Sequence, residues 1–169
     1  MTNNIIQEPQ QVILPEELLL HWQGHRQLTR RVIEAFPEHE LFHYSIGGMR
    51  PFSEMAIELI SLAAAGIQGM VTGSWRATGE LDHHAGQSLP GTKAEILRQW
   101  DLVTQEINHS WLQIPLERFQ ELDMAFGQYE GPIIRIMLYW VDNENHHRGQ
   151  GYVYLRSLGI EPPPFWDRY

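Results

Sequence analysis

The stretch Trp140-Val141-Asp142-Asn143-Glu144-Asn145-His146-His147-Arg148-Gly149-Gln150-Gly151-Tyr152-Val153-Tyr154-Leu155-Arg156-Ser157-Leu158-Gly159 carries the periodicity of a long helix. Residues three and four apart share a helical face, and one face reads Ile136, Trp140, Asn143, His147, Gly151, Tyr154 and Leu158. It is apolar at both ends, with an amide and an imidazole in the middle. Pro132 suits the first turn. Gly159 provides a left-handed stop, and Pro162-Pro163-Pro164 prevents continuation. A predominantly buried stripe of this length needs other helices to cover it.

The rest of the chain supplies three. Pro15-Glu16-Glu17 opens a first helix, with a proline at the start and carboxylates at the positive end of the macrodipole. Leu18, Leu19, Trp22, Leu28, Val32 and Ile33 continue it until Pro37, which ends it near Ala35 or Phe36. Leu41 to Arg50, with Gly47-Gly48, reads as a loop. Pro51 starts a second helix reaching about Gln68 or Met70, apolar on nearly every side and therefore interior. Residues 72–91 hold four glycines, Pro90 and His83-His84, and form a long loop of the kind that often serves function. Thr92-Lys93-Ala94-Glu95 is a capping box for a third helix running to about Leu112. Between Pro115 and Gly131 the partly alternating pattern predicts a short extended or irregular connection, or a small helix. The expected architecture is all-α: one four-helix-bundle domain over residues 1–169, with a long loop after its second helix. Residues 1–13 read as a loosely ordered arm and 160–169 as an aromatic tail.

Composition narrows the function. The 169 residues carry a formal charge of −9 and a single lysine, Lys93, so clustered cations for a nucleic-acid backbone are lacking. With no cysteine, disulfides, thiolate nucleophiles and thiolate metal sites are excluded, and any metal must be held by nitrogen and oxygen. No stretch approaches the ~18 uninterrupted apolar residues of a membrane span. The N-terminus lacks a basic segment leading into an apolar one, so the expectation is no signal peptide and a cytoplasmic location.

Nine histidines are more than packing alone would suggest. A polar pair inside a buried stripe must find partners, because an unpaired buried polar group costs ~1–3 kcal/mol. Glu58, set among Met55, Ile57, Leu59 and Leu62, needs a partner equally. Glu58 and His147, with Asn143 as third donor, therefore form a candidate site for Zn, Ni, Fe or Mn with positions left open for water. Asp142, Glu144, His146 and His43 are further candidates near it. The competing reading joins His147 to Glu58 without metal, or pairs Glu58 with Arg50 or Arg148.

Two segments point to a family. His146-His147-Arg148-Gly149-Gln150-Gly151-Tyr152-Val153-Tyr154-Leu155-Arg156-Ser157-Leu158-Gly159-Ile160, followed by Pro162-Pro163, closely resembles the C-terminal signature of DinB/YfiT-like proteins. Met49-Arg50-Pro51-Phe52-Ser53-Glu54-Met55 resembles their entry to the second helix. The resemblance implies a four-helix bundle, commonly dimeric, with a metal on three histidines: one from the second helix and two at i, i+4 on the last. Here Glu58 and Asn143 stand at two of those places, and only His147 matches. What the resemblance implies for function is a divalent-metal-dependent enzyme acting on a small molecule, of hydrolase or thiol-dependent transferase type. The alternatives are a non-catalytic bundle with a degenerate ligand or metal site, and a structural homodimer.

The remaining polar residues read as plain surface. His21 and His25, at i, i+4 with Gly24 between them, are expected on a solvated face. His83-His84 beside Asp82 are expected exposed in the long loop. Arg148 and Gln150 are expected as caps or dimer contacts. The tryptophans at 22, 100, 111 and 140 are core or interface residues, and the tail Phe165-Trp166-Asp167-Arg168-Tyr169 is expected to dock on its own bundle or a second subunit.

Overall fold

The computed structural model describes residues 13–75 and 90–169. Four long helices form the bundle: α1 (Pro15–Ala35), α3 (Phe52–Thr72), α4 (Lys93–Trp111) and α5 (Ile133–Ser157), with a short α2 (Glu38–His43) after the first. α3 packs on both α4 and α5, and α1 packs on the same two from the other side, so α1 and α3 face each other diagonally. α3 is long and apolar enough by composition to cross a membrane. Here its apolar residues, among them Phe52, Met55, Ala56, Leu59, Ile67 and Met70, are buried in the bundle.

The ends follow the local chemistry. Thr92 accepts from the Glu95 backbone N–H while the Glu95 carboxylate accepts from the Thr92 N–H, completing the expected capping box. Gly159 sits at φ 77°, and the Ile160 N–H donates back to the Leu155 carbonyl at 2.9 Å, which closes α5. The start of the predicted loop at Leu41 is instead the last part of α2, because Leu41 is fully buried beneath it. Between α4 and α5 lie a 3-10 turn (Leu116–Gln120) and an antiparallel hairpin, β1 (Leu122–Ala125) with β2 (Tyr129–Pro132), pairing Leu122 with Pro132 and Ala125 with Tyr129. The irregular connection is therefore both a small helix and two strands.

The core has two ends. One gathers Trp22, Trp111 and Trp140, with the Trp22 and Trp140 rings 5.8 Å apart. The other centres on Phe36 stacked on Phe52 at 4.9 Å, with Trp100 and Tyr154. Two glycines bring α3 and α5 close. A Cβ on Gly66 would lie 2.6 Å from the Trp140 ring, and one on Gly151 would lie 2.6 Å from Phe52. Both are real contacts only because no side chain is present. Between these two points α3 and α5 face each other across the polar residues of the stripe.

Candidate functional site

Glu58 projects from α3 with its side chain 22% exposed. Its Oε1 lies 3.1 Å from His147 Nε2, and the Asn143 amide Nδ2 donates to the same oxygen at 3.4 Å. Arg50 Nη2 donates to the other oxygen at 2.6 Å. The His147 hydrogen bond and the Arg50 guanidinium, working against burial, hold the Glu58 carboxyl down at about 2, so it is ionised. Facing a carboxylate, His147 Nε2 carries the proton; its other nitrogen, Nδ1, is buried with no hydrogen-bond partner. Arg50 is placed by α5 as well, since the buried Tyr154 hydroxyl donates to the Arg50 carbonyl at 3.0 Å.

The three residues predicted for the site thus come together, joined by Arg50. The four further candidates do not. Asp142 is exposed on the outer side of α5. His146 is exposed and bonded to Gln150 at 2.7 Å. His43 is exposed on α2, its ring 4.6 Å from His39. Glu144, one position past Asn143, is buried on a different face and turned toward α1. His83 and His84 lie outside the described residues.

The donors present do not suit a resident metal centre. Among the described residues no group of three or more His, Asp or Glu is placed to hold an ion. One carboxylate oxygen is already paired with a guanidinium, whose charge opposes a second cation on the oxygen that faces His147 and Asn143. A ligating imidazole almost always donates its other N–H to an acceptor that fixes its orientation, and His147 Nδ1 has none.

A second polar cluster joins α1 to α5. The Glu144 carboxylate is fully buried; it accepts from Thr29 Oγ1 at 2.6 Å and lies 3.8 Å from Arg148. Burial pushes its pKa up, opposed by Arg26, the Thr29 bond and Arg148. Arg26 is also fully buried and sits 4.1 Å from the Trp100 ring centre, its Nε donating to Thr104 Oγ1 at 2.8 Å. His25 is buried, not solvated. Arg148 Nη2 lies 2.8 Å from its Nδ1 and Arg168 Nη1 2.9 Å from its Nε2. Burial, then Arg148, lower His25 to about 3, so it is neutral. Arg148 is correspondingly an interior residue, not a cap or an exposed contact. Gly24, taken as a sign of exposure, is where the Tyr169 ring packs: a Cβ there would be 2.8 Å from it. The tail docks on its own bundle, with Arg31 to Asp167 at 2.8 Å as a further tie. The available signal was the spacing Trp22, His25, Arg26 and Thr29 on one face of α1, opposite Glu144 and Arg148 at i, i+4 on α5.

A bundle of four long helices with a polar seam between α3 and α5 defines the class, and comparison with known proteins supplies the family. The profile of the DinB family matches residues 1–168; the chain belongs to that family. Its fold is similar to that of a DinB-like protein from Bacillus cereus ATCC 10987, with a TM-score of 0.71 at 16% identity over 88% of this chain and 95% of that one. No curated protein matches the chain.

Proposed function

We propose that this chain is a non-catalytic, ligand-binding member of the DinB family, in which an ion pair stands where a metal centre would be. The carrying observation is Arg50 at 2.6 Å from Glu58 Oε2. A carboxylate held ionised at about 2, with one oxygen on Arg50 and the other on His147, is a poor base near neutral pH. The other nitrogen of the imidazole, His147 Nδ1, is buried without a hydrogen-bond partner, out of reach of a substrate. What remains is a lock between α3, α5 and the Arg50 segment.

Metal analysis of protein purified without a histidine tag tests the reading. The expected result is far less than one ion per chain, and a melting temperature that zinc, nickel, iron or manganese leaves unmoved. One equivalent of metal, lost in both Glu58→Ala and His147→Ala, would overturn it.

One observation favours the second reading, a metal-dependent hydrolase or thiol-dependent transferase acting on a small molecule. The 3.1 Å between Glu58 Oε1 and His147 Nε2 is close to the separation of neighbouring donors around an ion bonded at ~2.0–2.2 Å. Glu58 and His147 would hold the ion with Asn143 beside them, once Arg50, whose side chain is 47% exposed, swings away. On this reading Arg50→Ala creates zinc affinity; on the first it does not. A cytoplasmic homodimer is part of either proposal, and light scattering on the purified chain checks the dimer.

A further inference from the structure

Two pairs of histidines stand four residues apart in this chain, the spacing that places two side chains on one face of a helix. In the first, His21 Nε2 and His25 Nε2 lie 3.2 Å apart, but Arg168 Nη1 stands 2.9 Å from His25 Nε2 and leaves no place for a further cation. The second pair has no such neighbour: among the described residues, no guanidinium or ammonium is bonded to it.

This second pair is His39-Glu40-Leu41-Phe42-His43, which makes up all of α2 but its first residue. Leu41 is fully buried and anchors the short helix, so the residues two before and two after it turn outward. His39 and His43 are both exposed, with their ring centres 4.6 Å apart and their planes at 46°. Two imidazoles bonded through nitrogen to one ion at ~2.0 Å have their ring centres ~4.5–5 Å apart. The pair can therefore close on an ion with little movement. Its surroundings favour a cation. Glu40 Oε1 stands 3.6 Å from His39 Nδ1. A carboxylate on that side favours a proton on Nδ1 and leaves Nε2 its lone pair, which is how ligating histidines are oriented. His43 lies in the last turn of α2, at the carbonyl end of the helix.

The spacing His-Glu-x-x-His is also that of the zinc-binding helix of metalloproteases, where a third protein donor completes the site. Among the described residues no third donor is placed here, so water fills the remaining positions and the inference concerns ion binding, not peptide hydrolysis.

We infer that His39 and His43 form a two-nitrogen chelate for an exchangeable divalent transition-metal ion, copper(II) above the others. Copper(II) leads because imidazole donors bind it more tightly than manganese, iron, nickel or zinc, and its tetragonal geometry accepts two neighbouring nitrogens with water elsewhere. The inference is independent of the reading of the Glu58 site. An ion on two exposed side chains is lost on dialysis, so the purified chain carries none from here. The unfolded chain keeps its nine histidines, so the weaker-binding ions leave the melting temperature where it is.

Equilibrium dialysis of the untagged full chain against copper(II), with electron paramagnetic resonance of the loaded protein, tests it. One equivalent should bind ahead of any other, with a spectrum showing two equatorial nitrogens. His39→Ala and His43→Ala should each weaken that equivalent by about tenfold or more. Both side chains are exposed, so circular dichroism should show an unchanged fold. His21→Ala and Glu58→Gln should leave the affinity unchanged. A first equivalent that keeps its affinity in His39→Ala or His43→Ala, that is lost in His21→Ala or Glu58→Gln, or that shows a single nitrogen would each overturn the inference.

Discussion

Replacing Glu58 by glutamine should destabilise the bundle at neutral pH and leave it unaffected in strong acid. The carboxyl falls from an ordinary 4.5 to about 2 on folding. At about 1.4 kcal/mol per pH unit, that difference of 2.5 bounds the stabilisation at about 3.4 kcal/mol. Arg50 is half exposed and solvent screens its share, so ~1–2 kcal/mol is the expected loss at pH 7. An amide at this position retains a hydrogen bond to His147 but offers Arg50 no charge. The sign follows from the depressed pKa: the folded state favours the ionised form, so the contribution is complete above 4.5 and disappears as pH falls toward 2. Wild type also loses stability between about 6.5 and 3 as His25 is forced to charge. That loss is common to both proteins and cancels in their difference. Urea unfolding followed by tryptophan fluorescence, at several pH values from 7 to 2.5, gives the gap directly. It should be constant above pH 5 and close progressively below. A gap that persists unchanged at low pH, or is absent at pH 7, would refute the account of Glu58 as an ionised, paired group.

Gly151→Ala should cost ~1–3 kcal/mol, because its Cβ would meet the fully buried Phe52 ring at 2.6 Å and force α3 and α5 apart; thermal unfolding measures it. Thr29→Val should cost ~1–3 kcal/mol, since it removes a donor at 2.6 Å from a carboxylate with no access to water. The assay is urea unfolding at pH 7, and a loss below a few tenths of a kcal/mol would mean that Arg148 and Arg26 already satisfy Glu144.

The helices were legible because their signals are local: a proline or capping box at each start, a glycine or proline at each end, and apolar spacing between. Glu58 stood out for a similar reason, as a carboxylate in a run with no other polar group of its size. Its partner His147 followed from the same expectation applied to α5. Arg50 was one of two arginines that could pair with Glu58, and nothing local chose it over Arg148: it sits outside the helix, in a glycine-containing segment without periodicity, where the Tyr154 hydroxyl holds its carbonyl. His25 was misread because its burial comes from the far end of the chain, where Arg168 and Tyr169 fold back over α1. A tail five residues long carries no pattern that tells which helix it covers. The hairpin before α5 showed as faint alternation, since strands of four residues give period two little room.

Phe52 and Trp140 each seat on a bare backbone of the opposite helix, one on either side of Glu58. They act as spacers set at a fixed gauge, so the two rods cannot drift together or spread at the middle. Whatever donors occupy positions 58, 143 and 147, the distance they must bridge is dictated by those two rings. Changing the chemistry of the seam is then a matter of exchanging side chains within an unaltered frame.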